Sequence, residues 1–278
     1  MKVKFNDKVL LKKVGSCFMM IGTILGFVAL FYNELIIKYK LIVILVWLIM
    51  VVIYYTYSLV KMNKMKSISL SIHGSNFEIK SGNIFESPEL KVINFNEYFD
   101  TQVDDKIIAK NSLNGQFIQK VLNNNTEKLD KEIEIQLKEK TVEKNDNRKL
   151  GKKNKYNLGE IVVYEDYLLT SLTKFTEDNR ATISLKEYLE FLMNFWDNLD
   201  KIYSGRSVVI SLFGSSSLTR FTDAYEISDQ DLIEIIIWTF KISKIKFKYP
   251  SKITMLLSNN LINKINLYKI KEMYKNGL

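Results

Sequence analysis

Two apolar segments without a charged residue decide the architecture of this chain: VGSCFMMIGTILGFVALFY, Val14–Tyr32, and LIVILVWLIMVVIYYTYSLV, Leu41–Val60. As helices rising about 1.5 Å per residue, 19 and 20 residues extend about 28–30 Å, which matches the hydrocarbon core of a bilayer. A secretory signal has one shorter apolar core, and helices buried in soluble proteins are usually shorter and polar on one face. Because only Asn33–Lys40 connect the segments, the sequence predicts a transmembrane helical hairpin, with a buried hairpin of a soluble protein as the alternative.

Basic residues predict the orientation of this hairpin. More lysines flank its outer ends than its connection: Lys2, Lys4, Lys8, Lys12 and Lys13 precede the first segment, Lys61, Lys64 and Lys66 follow the second, and Lys38 and Lys40 share the connection with Glu34. Positive charge marks the cytoplasmic side of a membrane protein. We therefore expect a two-span protein of the cell membrane, with both termini and the domain after the hairpin in the cytoplasm.

The distribution of charge also points to the membrane. Residues 1–60 contain seven lysines and two acids, net +5, and residues 61–278 contain 33 Lys and Arg against 29 acids, net +4. More than half of the basic excess therefore lies at the hairpin, where an anionic lipid bilayer is the natural partner. The modest charge of the rest gives little support to nucleic-acid binding.

Cysteine and histidine are too few for several kinds of site. The single cysteine, Cys17, lies in the first apolar segment, and the single histidine, His73, stands alone. A disulfide framework, a Cys/His zinc site and a Cys–His nucleophile pair each need more of these residues in one chain. We therefore predict no metal site, no catalytic cysteine and no cofactor.

Strand-like and helix-like segments alternate after the hairpin, which we assign to residues 1–65. The predicted strands are Ser67–Ile72, Phe77–Ile79, Lys91–Phe95, Ile161–Tyr164, Leu168–Thr173, Ser207–Leu212 and Ile253–Leu257, and the predicted helices are Gln116–Leu122, Ser184–Tyr203, Asp229–Ser243 and Leu261–Tyr274. The helix at Ser184 has the clearest boundaries, because Ser184 and Glu187 form a capping box and Gly205 follows its end. This alternation predicts an α/β domain with a partly parallel central sheet over residues 66–278.

Residues 123–155 differ from the rest of this domain. They include 17 charged residues in 33, and their one alternating apolar pattern is Ile133–Val142. This composition predicts a charged surface insertion, with a hairpin and a basic end at Arg148–Lys155. We interpret that basic end as a solvated loop, with lipid contact as the alternative.

Three loops combine small and amide residues next to predicted strands or helices: Ser81–Phe85, Asn111–Phe117 and Phe213–Arg220. Small residues at the carboxyl end of a strand allow backbone N–H groups to approach an anion, and ligands of open α/β sheets bind at those ends. Each loop taken alone is weak evidence, and a Gly-Ser-Ser-Ser stretch such as that of the third loop is more often a plain turn. None of the three matches the Walker or dinucleotide-binding motif.

In this order, the loops resemble those of the macro domain family, whose fold binds ADP-ribose. Gly82-Asn83-Ile84-Phe85 resembles its Gly-Asp-Ile element, Ile93–Asn96 its Val-Asn-Ala-Asn strand end, Asn111–Phe117 its first phosphate loop and Leu212–Leu218 its second. Together with the hairpin, the chain resembles the membrane-anchored macro-domain effectors of Thoeris anti-phage defence. The resemblance implies an α/β/α domain with a mixed central sheet.

The resemblance also implies a ligand and a set of ligand-binding residues. The ligand would be an ADP-ribose derivative, such as the amino-acid conjugate histidine–ADP-ribose, made from NAD by a TIR-domain partner. Binding would drive homo-oligomerisation and disruption of the membrane. The implied contacts are Asn83, Ile84, Phe85, Asn94, Asn96, Ser112, Leu113, Asn114, Gly115, Gln116, Phe117, Gly214, Ser215, Ser216, Ser217, Leu218 and Arg220, of which Arg220 is equally compatible with a solvent-exposed helix position.

Two departures from the family pattern favour a sensor over an enzyme. Asn83 stands where these domains usually have Asp, so adenine recognition would use an amide or backbone groups. Asn114 stands where hydrolytic members often have an acid, and an amide cannot act as a general base. The alternatives are a membrane-bound ADP-ribosyl hydrolase, which would use Asp100, Asp104 or Asp105 to orient water, and a membrane anchor with a vestigial pocket.

Overall fold

The computed structural model describes residues 2–215, 219–223 and 227–275. The chain groups into two units, Met1–Ile68 with Asn260–Leu278, and Ser69–Asn259. The sequence boundary after residue 65 lies close to the first of these divisions and stays a prediction. The C-terminal residues, which the sequence analysis assigns to the α/β domain, group with the hairpin.

The first unit contains two long apolar helices joined by a short one. They are α1 at Lys8–Phe31, α2 at Asn33–Lys38 and α3 at Lys40–Asn63. The carboxylate of Asp7 caps α1 by accepting hydrogen bonds from the backbone N–H groups of Val9 and Leu10. Both long helices have the length and composition to cross a membrane, and most of their apolar side chains are exposed. The predicted second span lies within α3, and the predicted first span lies within α1 except for Tyr32, which is the C-cap of α1.

The second unit is an α/β/α domain with a mixed sheet. Its strands are β1 (Ser67–Ile72), β2 (Ser75–Ser81), β3 (Leu90–Asn96), β4 (Thr141–Lys144), β5 (Asn154–Tyr156), β6 (Ile161–Tyr164), β7 (Tyr167–Phe175), β8 (Ala181–Ile183), β9 (Val208–Ser211), β10 (Arg220–Phe221) and β11 (Lys252–Leu257). Its helices are α4 (Leu113–Lys120), α5 (Glu127–Leu137), α6 (Leu185–Ile202) and α7 (Asp229–Ile242), with a 3₁₀ turn at Ile84–Glu86. The predicted fold class is confirmed.

The order of the main sheet is β1-β2-β11-β9-β3-β7-β8-β10, with β6 also paired to β7. Strands β2, β11, β9, β3 and β7 are mutually parallel, whereas β6 and β8 run antiparallel to β7. The parallel arrangement brings the carboxyl ends of β3, β7 and β9 to one edge of the sheet, which is where ligands of such sheets bind.

Buried side chains pack helices onto this sheet. Phe95 of β3 lies in one cluster with Phe117 of α4 and with Leu129 and Ile133 of α5. A second, aromatic group joins α6 to α7, where the Trp196 indole N–H donates to Thr239 at 3.1 Å. Helix α6 begins with the predicted capping box, and its buried positions recur every three or four residues, as expected for an amphipathic helix.

The insertion is folded differently from the prediction. Leu129, Ile133 and Leu137 are spaced by four residues and form the buried face of α5, so the alternating strand predicted from Ile133 is wrong at that end. Strands β4 and β5 pair antiparallel after the helix, as a separate charged ribbon. Helical periodicity therefore governs the first half of this segment.

The C-terminal segment contains α8, Asn259–Ile262, and α9, Leu267–Lys275, where the sequence predicts one helix. The side-chain amide of Asn266 donates to the Asp7 carboxylate at 3.0 Å, and Tyr268 is buried in a cluster with Leu10 and Val14. The Lys13 ammonium lies 5.0 Å from the centre of the Tyr268 ring. These contacts connect α9 to the first turns of α1.

Candidate ligand-binding site

A cavity of about 1570 Å³ opens at the carboxyl ends of β3, β7 and β9, within the second unit. Its lining includes seven of the residues predicted to bind ligand, namely Asn94, Asn96, Ser112, Leu113, Asn114, Gly214 and Arg220. These residues come from four separate parts of the sequence. The sheet therefore brings most of the predicted loops to one place.

The end of β3 contributes two asparagines with different roles. The Asn94 side-chain oxygen is buried and has no hydrogen-bond partner among the described residues, while its amide nitrogen lies 3.5 Å from the Ser211 hydroxyl. Asn96 is fully occupied in a turn, because its oxygen accepts from the N–H groups of Tyr98 and Asp100 at 3.0 and 3.3 Å. An unpaired acceptor is costly unless a ligand or water donates to it, so Asn94 is the better candidate for ligand contact.

The predicted first phosphate loop becomes the N-terminus of α4. The Ser112 hydroxyl caps this helix by accepting from the Gly115 N–H at 3.1 Å, so the helix starts three residues before the predicted position. A Cβ atom at Gly115 would lie 2.2 Å from the Ala109 carbonyl oxygen, which explains the glycine. Gly115, Gln116 and Phe117 do not line the cavity, and Phe117 is fully buried in the core. Their predicted ligand contacts stay predictions.

The predicted second phosphate loop begins with Gly214, whose φ of +80° is a conformation that favours glycine. The next residue, Ser215, donates its hydroxyl to the Asp229 carboxylate at 2.5 Å and does not line the cavity. Ser216, Ser217 and Leu218 lie outside the described residues. Arg220 is exposed, as its alternative assignment states, but it lies in the two-residue strand β10, so the helical part of that alternative is wrong.

The predicted adenine element lies apart from this cavity. Asn83 caps the 3₁₀ turn, with its side-chain oxygen accepting from the Phe85 N–H at 3.2 Å and its amide donating to Glu86 at 2.8 Å. Ile84 is buried in the cluster that contains Phe95. Asn83, Ile84 and Phe85 do not line the cavity, so their predicted contact with a nucleobase stays a prediction.

Sequence reasoning missed the second wall of the cavity, which consists of Asn145, residues 147–150 and the turn between β7 and β8. Arg148 of this wall has a side chain only 5% exposed, so its predicted place in a solvated loop is wrong. Its guanidinium forms a two-pronged ion pair with Asp100 at 3.1 and 2.7 Å and lies 3.8 Å from the centre of the Tyr98 ring. Because 48 residues separate Arg148 from Asp100, no local pattern connects them.

The three aspartates considered for a hydrolase, Asp100, Asp104 and Asp105, all accept hydrogen bonds within the domain. The Asp100 carboxylate accepts from Asn96, from the backbone N–H of Lys152 and twice from Arg148. Asp104 accepts from the backbone N–H groups of its own turn, at 2.9 and 2.7 Å. The backbone N–H and ammonium of Lys110 hold the pKa of Asp105 below its usual range, which weakens Asp105 as a base.

The lining of the cavity is electropositive. It contains six cationic residues, Lys106, Arg148, Lys149, Lys155, Arg180 and Arg220, and three acidic ones, Asp105, Glu177 and Asp178, which gives net +3. Arg148 is paired with Asp100, Lys155 with Glu143 and Asp105 with Lys110, which leaves four cationic and two acidic lining residues, net +2. The remaining positive charge favours an anionic ligand. Among the described residues, no group of three or more His, Cys, Asp or Glu side chains is placed to bind a metal ion.

A mixed α/β/α sheet with small-residue loops around an electropositive cavity at its carboxyl edge is the architecture of an α/β domain that binds an anionic ligand. Residues 77–258 match the family model described as Thoeris protein ThsA, Macro domain. The chain is 44% identical over 218 residues to Thoeris protein ThsA of Bacillus amyloliquefaciens (strain Y2), covering 77% of this chain and 73% of that protein. The chain therefore belongs to the ThsA macro-domain family, and the resemblance to the macro domains of Thoeris defence is confirmed.

Solved macrodomain structures are also similar to this chain. One is the Oceanobacillus iheyensis macrodomain with ADP, at 12% identity and a TM-score of 0.44, covering 76% of this chain and 97% of that chain. A variant of the same macrodomain with ADPR has 12% identity and a TM-score of 0.42, covering 75% of this chain and 99% of that chain.

Proposed function

We propose that this chain is a membrane-tethered effector of anti-phage defence that senses an ADP-ribose-derived nucleotide through its macro domain. The observation that carries the proposal is the electropositive cavity at the carboxyl edge of the sheet, in a chain whose helices α1 and α3 are long and apolar enough to cross a bilayer. Membership of the ThsA family supports the role in Thoeris defence.

The cavity is wide enough to admit a nucleotide with a further substituent. Its volume of about 1570 Å³ exceeds the roughly 300–1,000 Å³ of common small-molecule pockets. An ADP-ribose derivative fills more of this space if it carries a substituent, such as the amino acid in histidine–ADP-ribose. In this proposal the diphosphate lies between the start of α4 and the Gly214 loop, and a TIR-domain protein supplies the ligand from NAD.

The acidic residues that follow β3 favour binding without turnover. A hydrolytic water needs a carboxylate with a free acceptor position. Asp100 has four donors around it, Asp104 accepts from its own turn, and Asn114 provides an amide instead of an acid. We therefore assign ligand binding to the macro domain and disruption of the membrane to the hairpin. In this proposal, ligand-driven homo-oligomerisation gathers many hairpins in the cell membrane until the bilayer is disrupted.

Calorimetry of the full chain in detergent, with ADP-ribose, NAD and histidine–ADP-ribose, tests the receptor. We expect binding of the ADP-ribose compounds, with the conjugate recovered intact after long incubation with excess protein. Release of free ADP-ribose that depends on Asp104 or Asp105 would favour the hydrolase instead. Absence of binding to every one of these compounds would contradict the receptor and leave the membrane anchor.

A further inference from the structure

The loop that forms the second wall of the cavity, residues 145–153, has little apolar anchorage. None of its side chains belongs to the hydrophobic core, and Leu150 is exposed. A surface segment without buried apolar contacts opens at low free-energy cost, so its order depends on its polar contacts. Its hydrogen bonds to the turn at residues 96–100, directly after β3, are the most numerous of its contacts with the rest of the domain, and the Lys152 ammonium adds an ion pair with Asp130 of α5 at 2.5 Å.

Asp100 is the centre of these contacts. It is 1% exposed, and it binds the loop through both nitrogens of the Arg148 fork and through the Lys152 N–H at 2.7 Å. The same Arg148 donates to the Lys152 carbonyl oxygen at 2.6 Å and to the Asn179 side chain at 2.8 Å, so it also connects the loop to the β7–β8 turn. The Asn145 side chain adds a bond to the Tyr98 hydroxyl at 3.1 Å.

We propose that Asp100 and Arg148 are a positioning pair, which holds the loop at residues 145–153 in place as the second wall of the cavity and thereby sets the affinity for ligand. The identity of the ligand rests on the proposed function, whereas the attachment of the loop does not. Arg148 acts through the loop, because its guanidinium donors are directed at Asp100, Asn179 and the Lys152 carbonyl. Burying an ion pair adds little to global stability, so a local role accounts better for this one.

Gly151 offers a way to disturb the pair without removing either charge. Its φ is +85°, and a Cβ atom there would lie 2.6 Å from an Asp100 carboxylate oxygen and 2.9 Å from an Arg148 nitrogen. Gly74 is a matched control, because its φ is +84° and a Cβ atom there would meet nothing within 4 Å. Gly151→Ala and Gly74→Ala therefore share the backbone strain, and only the first disturbs the pair.

The test combines hydrogen exchange with calorimetry, on the full chain in detergent with ADP-ribose as the probe. We expect Gly151→Ala and Arg148→Ala to speed amide exchange at residues 145–153. Gly151→Ala keeps both charges and should leave exchange in α6 unchanged, whereas Arg148→Ala leaves the Asp100 carboxylate buried without its partner and should also lower global stability. We also expect both to weaken ADP-ribose binding at least about tenfold, the loss produced when the wall is in place only a tenth of the time. Gly74→Ala should behave as the native chain in both measurements.

Two results would overturn the proposal, and they differ from a failure of the proposed function. Rapid exchange of the loop in the native chain would show that the pair does not hold it. A freed loop with unchanged ADP-ribose affinity would show that the wall does not set affinity. A native chain that binds no ADP-ribose would contradict the receptor and the affinity part of this proposal, whereas the exchange measurement would still decide whether the pair holds the loop.

Discussion

The hydroxyl of Tyr188 donates a hydrogen bond to the carbonyl oxygen of Phe213 at 2.9 Å, and it connects α6 to the loop that follows β9. Tyr188 is fully buried, and burial raises the pKa of its hydroxyl well above the usual range, so the group remains a neutral donor. Its ring lies 3.5 Å from the position that a Cβ atom would have at Gly214. Helix α6 therefore supports the Gly214 loop from the core.

Tyr188→Phe should weaken this support. The change leaves the Phe213 carbonyl without its donor, and an unpaired buried acceptor costs roughly 1–3 kcal/mol. We expect a loss of that size in the free energy of unfolding, measured by denaturant titration, together with weaker ADP-ribose binding. Tyr249→Phe is the control, because Tyr249 is 96% exposed. Equal stability and affinity in the two variants would contradict a supporting role for Tyr188.

Gly214→Ala should weaken ligand binding through local geometry. A Cβ atom at Gly214 would lie 3.3 Å from the Phe221 ring, at a φ of +80°. Gly205, with a φ of +71° and nothing within 4 Å of an added Cβ atom, is the matched control. Both substitutions should destabilise the fold by about 1 kcal/mol through backbone strain. Only Gly214→Ala should lower ADP-ribose affinity in calorimetry, and equal affinities would remove Gly214 from the site.

Stability should depend on pH through Glu97. Burial raises the pKa of this carboxyl, and that effect outweighs the hydrogen bond from the Phe175 N–H and the nearby charges of Lys155 and Lys174. The folded state therefore binds a proton more tightly than the unfolded state, whose pKa is near 4.5. Stability from this group is present below pH 4.5 and falls as pH rises through the folded pKa.

Glu97→Gln should remove the fall in stability that Glu97 causes as pH rises. We expect the variant to be more stable than the native chain near pH 7, with the difference shrinking towards pH 4, in thermal unfolding at several pH values. Glu139→Gln, at an exposed position, should leave the pH profile unchanged. The interpretation would be contradicted if the stability of Glu97→Gln minus that of the native chain were smaller at pH 7 than at pH 4.

Much of the fold is predictable because its signals are local. The two hairpin helices follow from charge-free length, and α6 follows from the Ser184–Glu187 capping box and its apolar spacing. Helix α5 was missed because its apolar positions start at Leu129, before the segment whose alternation resembled a strand. The split of α8 from α9 likewise interrupts a continuous helical pattern.

The site was predictable on one side only. Loops next to strand ends could be recognised from small and amide residues, and Asn94, Asn114 and Gly214 do line the cavity. The second wall depends on the contact between Asp100 and Arg148, which lie far apart in the sequence and meet only in the fold. The run of charged residues around Arg148 predicted an exposed side chain, because a local sequence pattern does not reveal a partner that is distant in the sequence.

The orientation of the hairpin is testable with cysteine labelling. In a Cys17→Ser background, Glu34→Cys places a reporter between the two apolar helices, and Lys4→Cys places one before them. Because the lysines flank the outer ends, we expect a membrane-impermeant maleimide to label position 34 in intact cells and position 4 only after lysis. Labelling of position 4 in intact cells, with position 34 protected, would invert the topology.

Ligand-driven assembly of α1 is the last prediction, and it rests on Gly22 and Gly26. A Cβ atom at either glycine would meet nothing within 4 Å, so these glycines do not provide close packing against α3 within one chain. Their spacing of four residues places them on one face, where small residues allow close approach of helices in lipid. We therefore expect Gly22→Leu/Gly26→Leu to reduce assembly between chains.

The measurement is oligomer size and liposome leakage, each with and without histidine–ADP-ribose. Moving assembly from rare to dominant requires about 5.5 kcal/mol of ligand preference for the assembled state, which several identical sites acting together provide. Met20→Leu/Ile24→Leu is the matched control, because that pair has the same spacing and exposed side chains but lies about 200° away around the helix. Size and leakage that do not respond to ligand would contradict the effector mechanism, whereas ligand-driven assembly that survives the double glycine substitution would contradict only the glycine face.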